Sequence, residues 1–365
     1  SPVWADVKSE FDALLKDGKI DAAKADQLRE SARVALVDKL GPSYQALIDW
    51  FEADKANADT TATGVWKLPR GREFYAERLA ASTTTSMTPA QVHELGLAEV
   101  ARIKAEMEAI KDKVGFKGTL QEFFKFVRED KQFYLPKAGH VVKRVEAFRE
   151  QPGAAQHYFP STPDGSRPGV YYAHLSDMSA MPIPQLEVIA YHEGNPGHHM
   201  QIAIAQELTG VPRFRTQAGF TAYSEGWGLY SELLAKEMGA YADPYSDFGR
   251  LSTEIWRAIR LGVDTGVHDK EWTEAEAVAY FMENSPAAEG QIRSEVQRYI
   301  VWPGQATGYK VGMLKILELR TRAQQALGEK FDIRGFHDTV LGGGALPLDI
   351  LERRVDEWIE ARKAA

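Results

Sequence analysis

Apolar residues recur at mixed three- and four-residue spacing along most of this 365-residue chain, and one stretch breaks the habit. Residues 5 to 52 place Phe11, Leu14, Leu15, Leu28, Val34, Leu36 and Leu40 in that pattern, with Gly18 and the Gly41-Pro42 pair as breaks, which predicts two or three helices. Arg70 to Ala81 and Thr88 to Val114 read the same way. The second opens with Thr88 as N-cap and Pro89 at the first helical position, where a missing N–H costs nothing. Between Gln151 and Pro184 the pattern lapses: six prolines fall there, Asp164-Gly165-Ser166 is a turn, and only Val170 to Leu175 has strand character. From Gln185 the helical pattern returns, with interruptions at Gly210, at Gly239 to Pro244, at Pro303-Gly304 and at Gly342 to Gly344. The expected fold is mainly α with a small strand-and-loop insert before residue 190. The polar stretch Asn57 to Gly64 is the expected linker between N-terminal helices, 1–56, and a compact two-lobed unit, 65–365.

Composition narrows the function. The net charge is −8 and no dense Lys/Arg block interleaves with aromatics, so nucleic acid is not an expected partner. No apolar run approaches the roughly 20 residues of a membrane-spanning helix. With no cysteine, disulfides, thiolate metal sites and cysteine nucleophiles are excluded, which leaves His, Asp and Glu as possible metal ligands.

Three of the nine histidines and a glutamate fall in the eight positions His192 to His199. In an HExxH helix two zinc-binding histidines four apart share a face and the glutamate between them polarises water. Here that fourth position is Pro196. On an undistorted helix His199 would lie within about 20° of His192 but roughly 10.5 Å further along the axis. Pro196 makes such a helix improbable, because it lacks an N–H and its ring clashes with the carbonyl of His192. A bulge, or a break with Asn195 as N-cap and Pro196 opening a new helix, returns His198 towards His192. His198 is then the preferred second ligand and His199 the alternative. A catalytic zinc ion needs a third protein ligand and an open position. Glu225 follows His198 by 27 positions in an aromatic-rich helix, where a packed carboxylate requires a partner; Glu232, seven further on, shares its face and would support the ligands from behind.

The blocks HEGNPGHHMQ (192–201), YSEGWGLYSE (223–232), RLGVDTGVH (260–268), VWPGQATGYKVG (301–312) and GGGALPLDILERRVDEW (342–358) resemble the bacterial family known as domain of unknown function 885, from about Gly71 onward. That family resembles the gluzincin metallopeptidases, the helical group of angiotensin-converting enzyme, neurolysin and carboxypeptidase Taq. The resemblance implies a gluzincin-like helical architecture, one zinc ion on His192, Glu225 and one of His198 or His199, and Glu193 as general base. It also implies export in many members, which favours a periplasmic over a cytoplasmic location. Because members are commonly longer at the N-terminus, an N-terminal portion of the same precursor is a possible partner.

The expected activity is zinc-dependent hydrolysis of a peptide substrate. The alternatives are a metal-dependent amidohydrolase of non-peptide amides and a helical binding protein with a vestigial metal site, against which an intact Glu193 argues. A tetrahedral oxyanion needs a donor. Tyr309, beside Gly308, is the candidate, in line with a late tyrosine in the enzymes the family resembles; His268 is a second. Arg260 and Arg298 are candidates for holding a substrate carboxylate.

Overall fold

The structure, a computed structural model, describes residues 2–134, 145, 156–162, 167–173 and 182–364. The expected turn at Asp164-Gly165-Ser166 and the end of the expected strand, His174-Leu175, lie outside the described residues. The chain is mainly helical and divides into two compact units, Ser1–Thr61 and Ala62–Ala365.

The first unit holds α1 (Pro2–Lys16), α2 (Ala22–Ala35) and α3 (Gly41–Asp54). Gly18, at φ 68°, turns the chain between α1 and α2, and Asp21 caps α2 by accepting the Lys24 N–H at 2.7 Å. The Gly41-Pro42 pair does not end the helical path. Leu36–Leu40 forms a π turn, and Pro42 falls in the first turn of α3, where no N–H is needed.

The second unit runs through α4 (Gly71–Thr83), α5 (Pro89–Lys113), α6 (Leu120–Glu129), β1 (His157–Phe159), β2 (Val170–Tyr172), α7 (Ile183–Glu193), α8 (His198–Glu207), α9 (Thr221–Glu237) and α10 (Pro244–His268). It continues with α11 (Glu274–Asn284), α12 (Glu289–Val301), α13 (Gly308–Leu327), α14 (Ile333–Leu341) and α15 (Leu348–Ala364). Thr88 and Gln91 form the capping box that starts α5. The strand character seen from Val170 resolves into a two-stranded antiparallel sheet, with Tyr158 opposite Tyr171.

Among the described residues, two large apolar clusters and a small one around Val188, Ala235 and Tyr241 fill this unit. One large cluster gathers Trp227, Tyr230, Ile316, Phe336, Leu351 and Val355 from α9 and α13–α15; the other gathers Ile103, Phe123, Phe248, Ile259, Phe281 and Val296 from α5, α6 and α10–α12. Each such fully buried apolar side chain contributes about 1.5–3 kcal/mol. α9 and α13 touch backbone to backbone: a Cβ on Gly312 would come within 1.8 Å of the Ala222 carbonyl oxygen, and one on Gly226 within 2.6 Å of the Gly312 Cα. α10 is buried over most of its length and carries charge into the interior. Lys310, fully buried, bridges Glu254 at 2.7 Å and Glu99 at 2.9 Å, and Arg250 binds Glu254 at 3.0 Å.

Candidate metal centre

The histidine-rich segment is a helix break. α7 ends at Glu193 and α8 begins at His198, with Gly197 as its N-cap and a cis peptide at Asn195-Pro196. The expectation that Asn195 caps and Pro196 opens the second helix is thus corrected by two positions. The chain folds back so closely at Gly197 that a Cβ there would lie 1.9 Å from the His192 carbonyl oxygen, and only glycine fits. The Pro196 carbonyl instead accepts the Trp227 Nε1–H at 2.8 Å, which pins the break to α9.

This route sets the imidazoles of His192 and His198 perpendicular, with ring centroids 4.7 Å apart. Glu225 of α9 approaches both: its Oε2 is 3.6 Å from His192 Nε2 and 3.3 Å from His198 Nε2. One ligand-capable atom from each of the three residues lies within 4.8 Å of the others, the one group of this kind among the described residues. His199 is turned elsewhere, its Nδ1 2.8 Å from the Tyr158 hydroxyl of β1. The second imidazole of the cluster is that of His198.

His192 is held from behind. Its Nδ1 lies 2.8 Å from Glu232 Oε1, and Glu232 Oε2 accepts the Thr253 hydroxyl at 2.7 Å. Since a carboxylate can only accept, Nδ1 carries the hydrogen in neutral His192, and the Nε2 lone pair faces the cluster. Burial alone would lower the His192 pKa; the bonds to Glu225 and Glu232 outweigh it and raise it to about 9. Burial likewise opposes ionisation of Glu225, yet the two imidazoles hold its carboxyl well below the usual carboxylate range. His198 Nδ1 is buried without a partner among the described residues. Glu193 is buried beside the cluster, and its carboxylate has no hydrogen-bond partner among the described residues.

Gly228 was not singled out in the sequence, but it admits both rings: a Cβ there would fall 2.9 Å from His192 Nε2 and 3.1 Å from His198 Cε1. Its signal was its position, three residues after Glu225 and four before Glu232, on the face those carboxylates share. Thr253 and Tyr171 also had no local signal. Burial, followed by the charge of Glu193, pushes the Tyr171 phenol up, and the Tyr158–His199 contact sets the sheet against the histidine-rich segment.

Tyr309, near the start of α13, lies under the Arg260 guanidinium, 4.4 Å from ring centroid to Cζ. Burial first, then the nearby Glu225 charge, pushes its phenol up, against the pull of Arg260, Arg298 and Arg257. His268 is a correction. The Val65 N–H donates to its Nδ1 at 3.1 Å and its Nε2 lies 2.9 Å from the Tyr299 carbonyl oxygen, so neither ring nitrogen is left for a substrate. Arg298 is also spoken for, bonded to both oxygens of Glu295 and to Gln305.

Fold and site together define a mainly helical protein with a His/His/Glu cluster where one helix breaks into the next. The chain belongs to the bacterial protein family of unknown function DUF885, whose profile matches residues 3–141 and 133–355. It is similar to the crystal structure of a candidate lipoprotein from Colwellia psychrerythraea, at 36% identity and a TM-score of 0.86, over 94% of this chain and 64% of that one. The chain therefore spans less than two thirds of that relative's length. A candidate lipoprotein of unknown function from Shewanella oneidensis shares the fold, at 18% identity and a TM-score of 0.68, over 93% of this chain and 68% of its own. No curated protein matches the chain. No helix among the described residues is long and apolar enough to cross a membrane.

Proposed function

We propose that the chain is a zinc-dependent hydrolase of peptide bonds in a gluzincin-like helical frame, with His192, His198 and Glu225 as the metal ligands. The observation that carries this reading is the convergence of those three side chains beside the buried carboxylate of Glu193. The residues fit such an ion: the ligands are two imidazoles and a carboxylate, Glu232 leaves His192 Nε2 free to coordinate, and Gly228 clears the space a Cβ would fill. Cobalt or manganese would suit the same ligands. When bound, zinc supplies a Lewis acid that acidifies water and polarises a carbonyl.

The chain's own residues do the rest. Glu193 receives the proton of the attacking water and returns it to the departing amine. Tyr309 donates its hydroxyl hydrogen bond to the oxyanion, and its raised phenol pKa keeps that proton in place near neutral pH. Glu232 and Thr253 hold the His192 ring in one orientation. An exported location is part of this reading, supported by relatives described as candidate lipoproteins.

The test is bound metal by mass spectrometry, with chelator-sensitive cleavage of a peptide library by wild type and Glu193→Gln. Metal in both and cleavage by the wild type alone is the expected result. Metal without any peptide cleavage would favour a binding protein or a hydrolase of other amides, and full activity in Glu193→Gln would remove the assigned base.

A further inference from the structure

We propose that Arg260, with Arg257 and the ring of Tyr309, recognises a carboxylate of the peptide substrate, and that this carboxylate is the C-terminal one; this rests on reading the His192–His198–Glu225 cluster as a hydrolytic centre. Arg260 is 7% exposed, and its guanidinium is only partly satisfied. Nε donates to the Tyr299 hydroxyl at 3.0 Å and Nη2 to Glu295 at 2.9 Å, while Nη1 is buried without a partner among the described residues. One turn earlier on α10, Arg257 donates from Nη1 to the Thr253 carbonyl at 3.2 Å, and its buried Nε has no partner there either. Arg298 also acts on Tyr309, and among the described residues Glu295 is the one carboxylate bonded to any of these three arginines. Even with that carboxylate in place, Arg260 Nη1 and Arg257 Nε keep buried N–H groups without an acceptor among the described residues. Buried N–H donors without an acceptor are unfavourable unless a ligand supplies one.

Tyr309 ties these open donors to the cluster. Its neighbour Gly308 lies against Thr221 and Ala222, and Gly312 lies against Ala222 and Gly226, so Tyr309 rides on the same α9–α13 contact that carries Glu225. A ligand would need two acceptor atoms and a negative charge to satisfy one N–H from each of two guanidinium groups, and a carboxylate has both. Beside the cluster, that group would hold a peptide with its end close to the bond being cut.

The experiment compares N-acetylated peptides ending in a free carboxylate with the same peptides ending in an amide, and peptides carrying Glu with those carrying Gln. Amidation is expected to raise KM about 10- to 100-fold in the wild type, and Arg260→Gln or the less buried Arg257→Gln to shrink that ratio. A KM rise from Glu→Gln alone would move the recognised carboxylate from the terminus to a side chain and overturn the C-terminal assignment. Equal KM for all four peptides would overturn the carboxylate site while leaving the hydrolase intact. Calorimetry of N-acetyl-dialanine against its amide, on the wild-type chain, needs no turnover. Preferential binding of the acid supports the site even if no peptide is cleaved, and equal or absent binding of both overturns it.

Discussion

His192 and His268 are both buried at the C-terminal ends of helices, at 2% and 0% exposure, and both were candidates for chemistry on sequence grounds. Their partners differ. His268 sits between two backbone groups, accepting from Val65 N–H and donating to the Tyr299 carbonyl, so a neutral ring completes the hydrogen bonding of two remote segments. His192 sits between two carboxylates, one fixing its Nδ1 and the other 3.6 Å from its Nε2. Burial does not separate the two roles. A histidine whose ring nitrogens both meet backbone is a fastener, whereas one held by a carboxylate on one side with acid across from the other is set up to bind a cation.

The largest effect that would break this distinction is at the residue beside His192. Glu193→Gln should lower peptide cleavage by about 10²–10⁴-fold while bound metal, read by mass spectrometry, is unchanged. Tyr309→Phe removes one hydroxyl and should lower kcat by about 10²–10³-fold with little change in KM or metal content. Were either variant fully active, the cluster would have no more claim to catalysis than His268.

The next pair sets the two histidines directly against each other. Glu232→Gln keeps the shape but loses the charge behind His192, and should weaken metal affinity by about 10- to 100-fold in a competition titration with a chelator. His268→Ala removes a fully buried ring, the acceptor of the part-buried Val65 N–H and one of two donors to the Tyr299 carbonyl, and should cost roughly 2–4 kcal/mol in denaturant unfolding without altering metal content. Metal loss in His268→Ala at full stability would contradict the comparison.

The parts of this arrangement that were legible in the sequence are those governed by neighbours. Helical spacing, the Thr88 cap and the need for a break at Pro196 follow from local backbone chemistry. The seven-residue interval from Glu225 to Glu232 put both carboxylates on the face that meets His192. What was not legible depends on segments far apart in sequence. The fold-back at Gly197 is pinned by Trp227, 31 residues from its acceptor, and Val65, 203 residues from His268, takes up that ring's Nδ1. Arg260 and Arg298 looked alike in sequence and share Glu295, and only the placement of Gln305 gives every Arg298 nitrogen a bond while Arg260 Nη1 has none among the described residues.

A third histidine gives the smallest effect and the sharpest sign. His337 takes part in a hydrogen bond with the Tyr230 hydroxyl at 2.8 Å, and burial, helped by Arg320, lowers its pKa from the ordinary 6.5 to about 4. Its folded value lies below its unfolded one, so the unfolded chain binds the extra proton first; the stability it contributes is present above pH 6.5 and lost as pH falls towards 4. His192 in metal-free protein has the opposite sign. Raised to about 9, it contributes stability that is complete below 6.5 and lost as pH climbs through 9. Chelator-treated protein should therefore lose thermal stability on both flanks. His337→Gln should flatten the acid flank and His192→Gln the alkaline one. Metal should remove only the alkaline loss, because a coordinated imidazole no longer exchanges its proton. An alkaline flank unchanged by metal would place the ion somewhere other than His192.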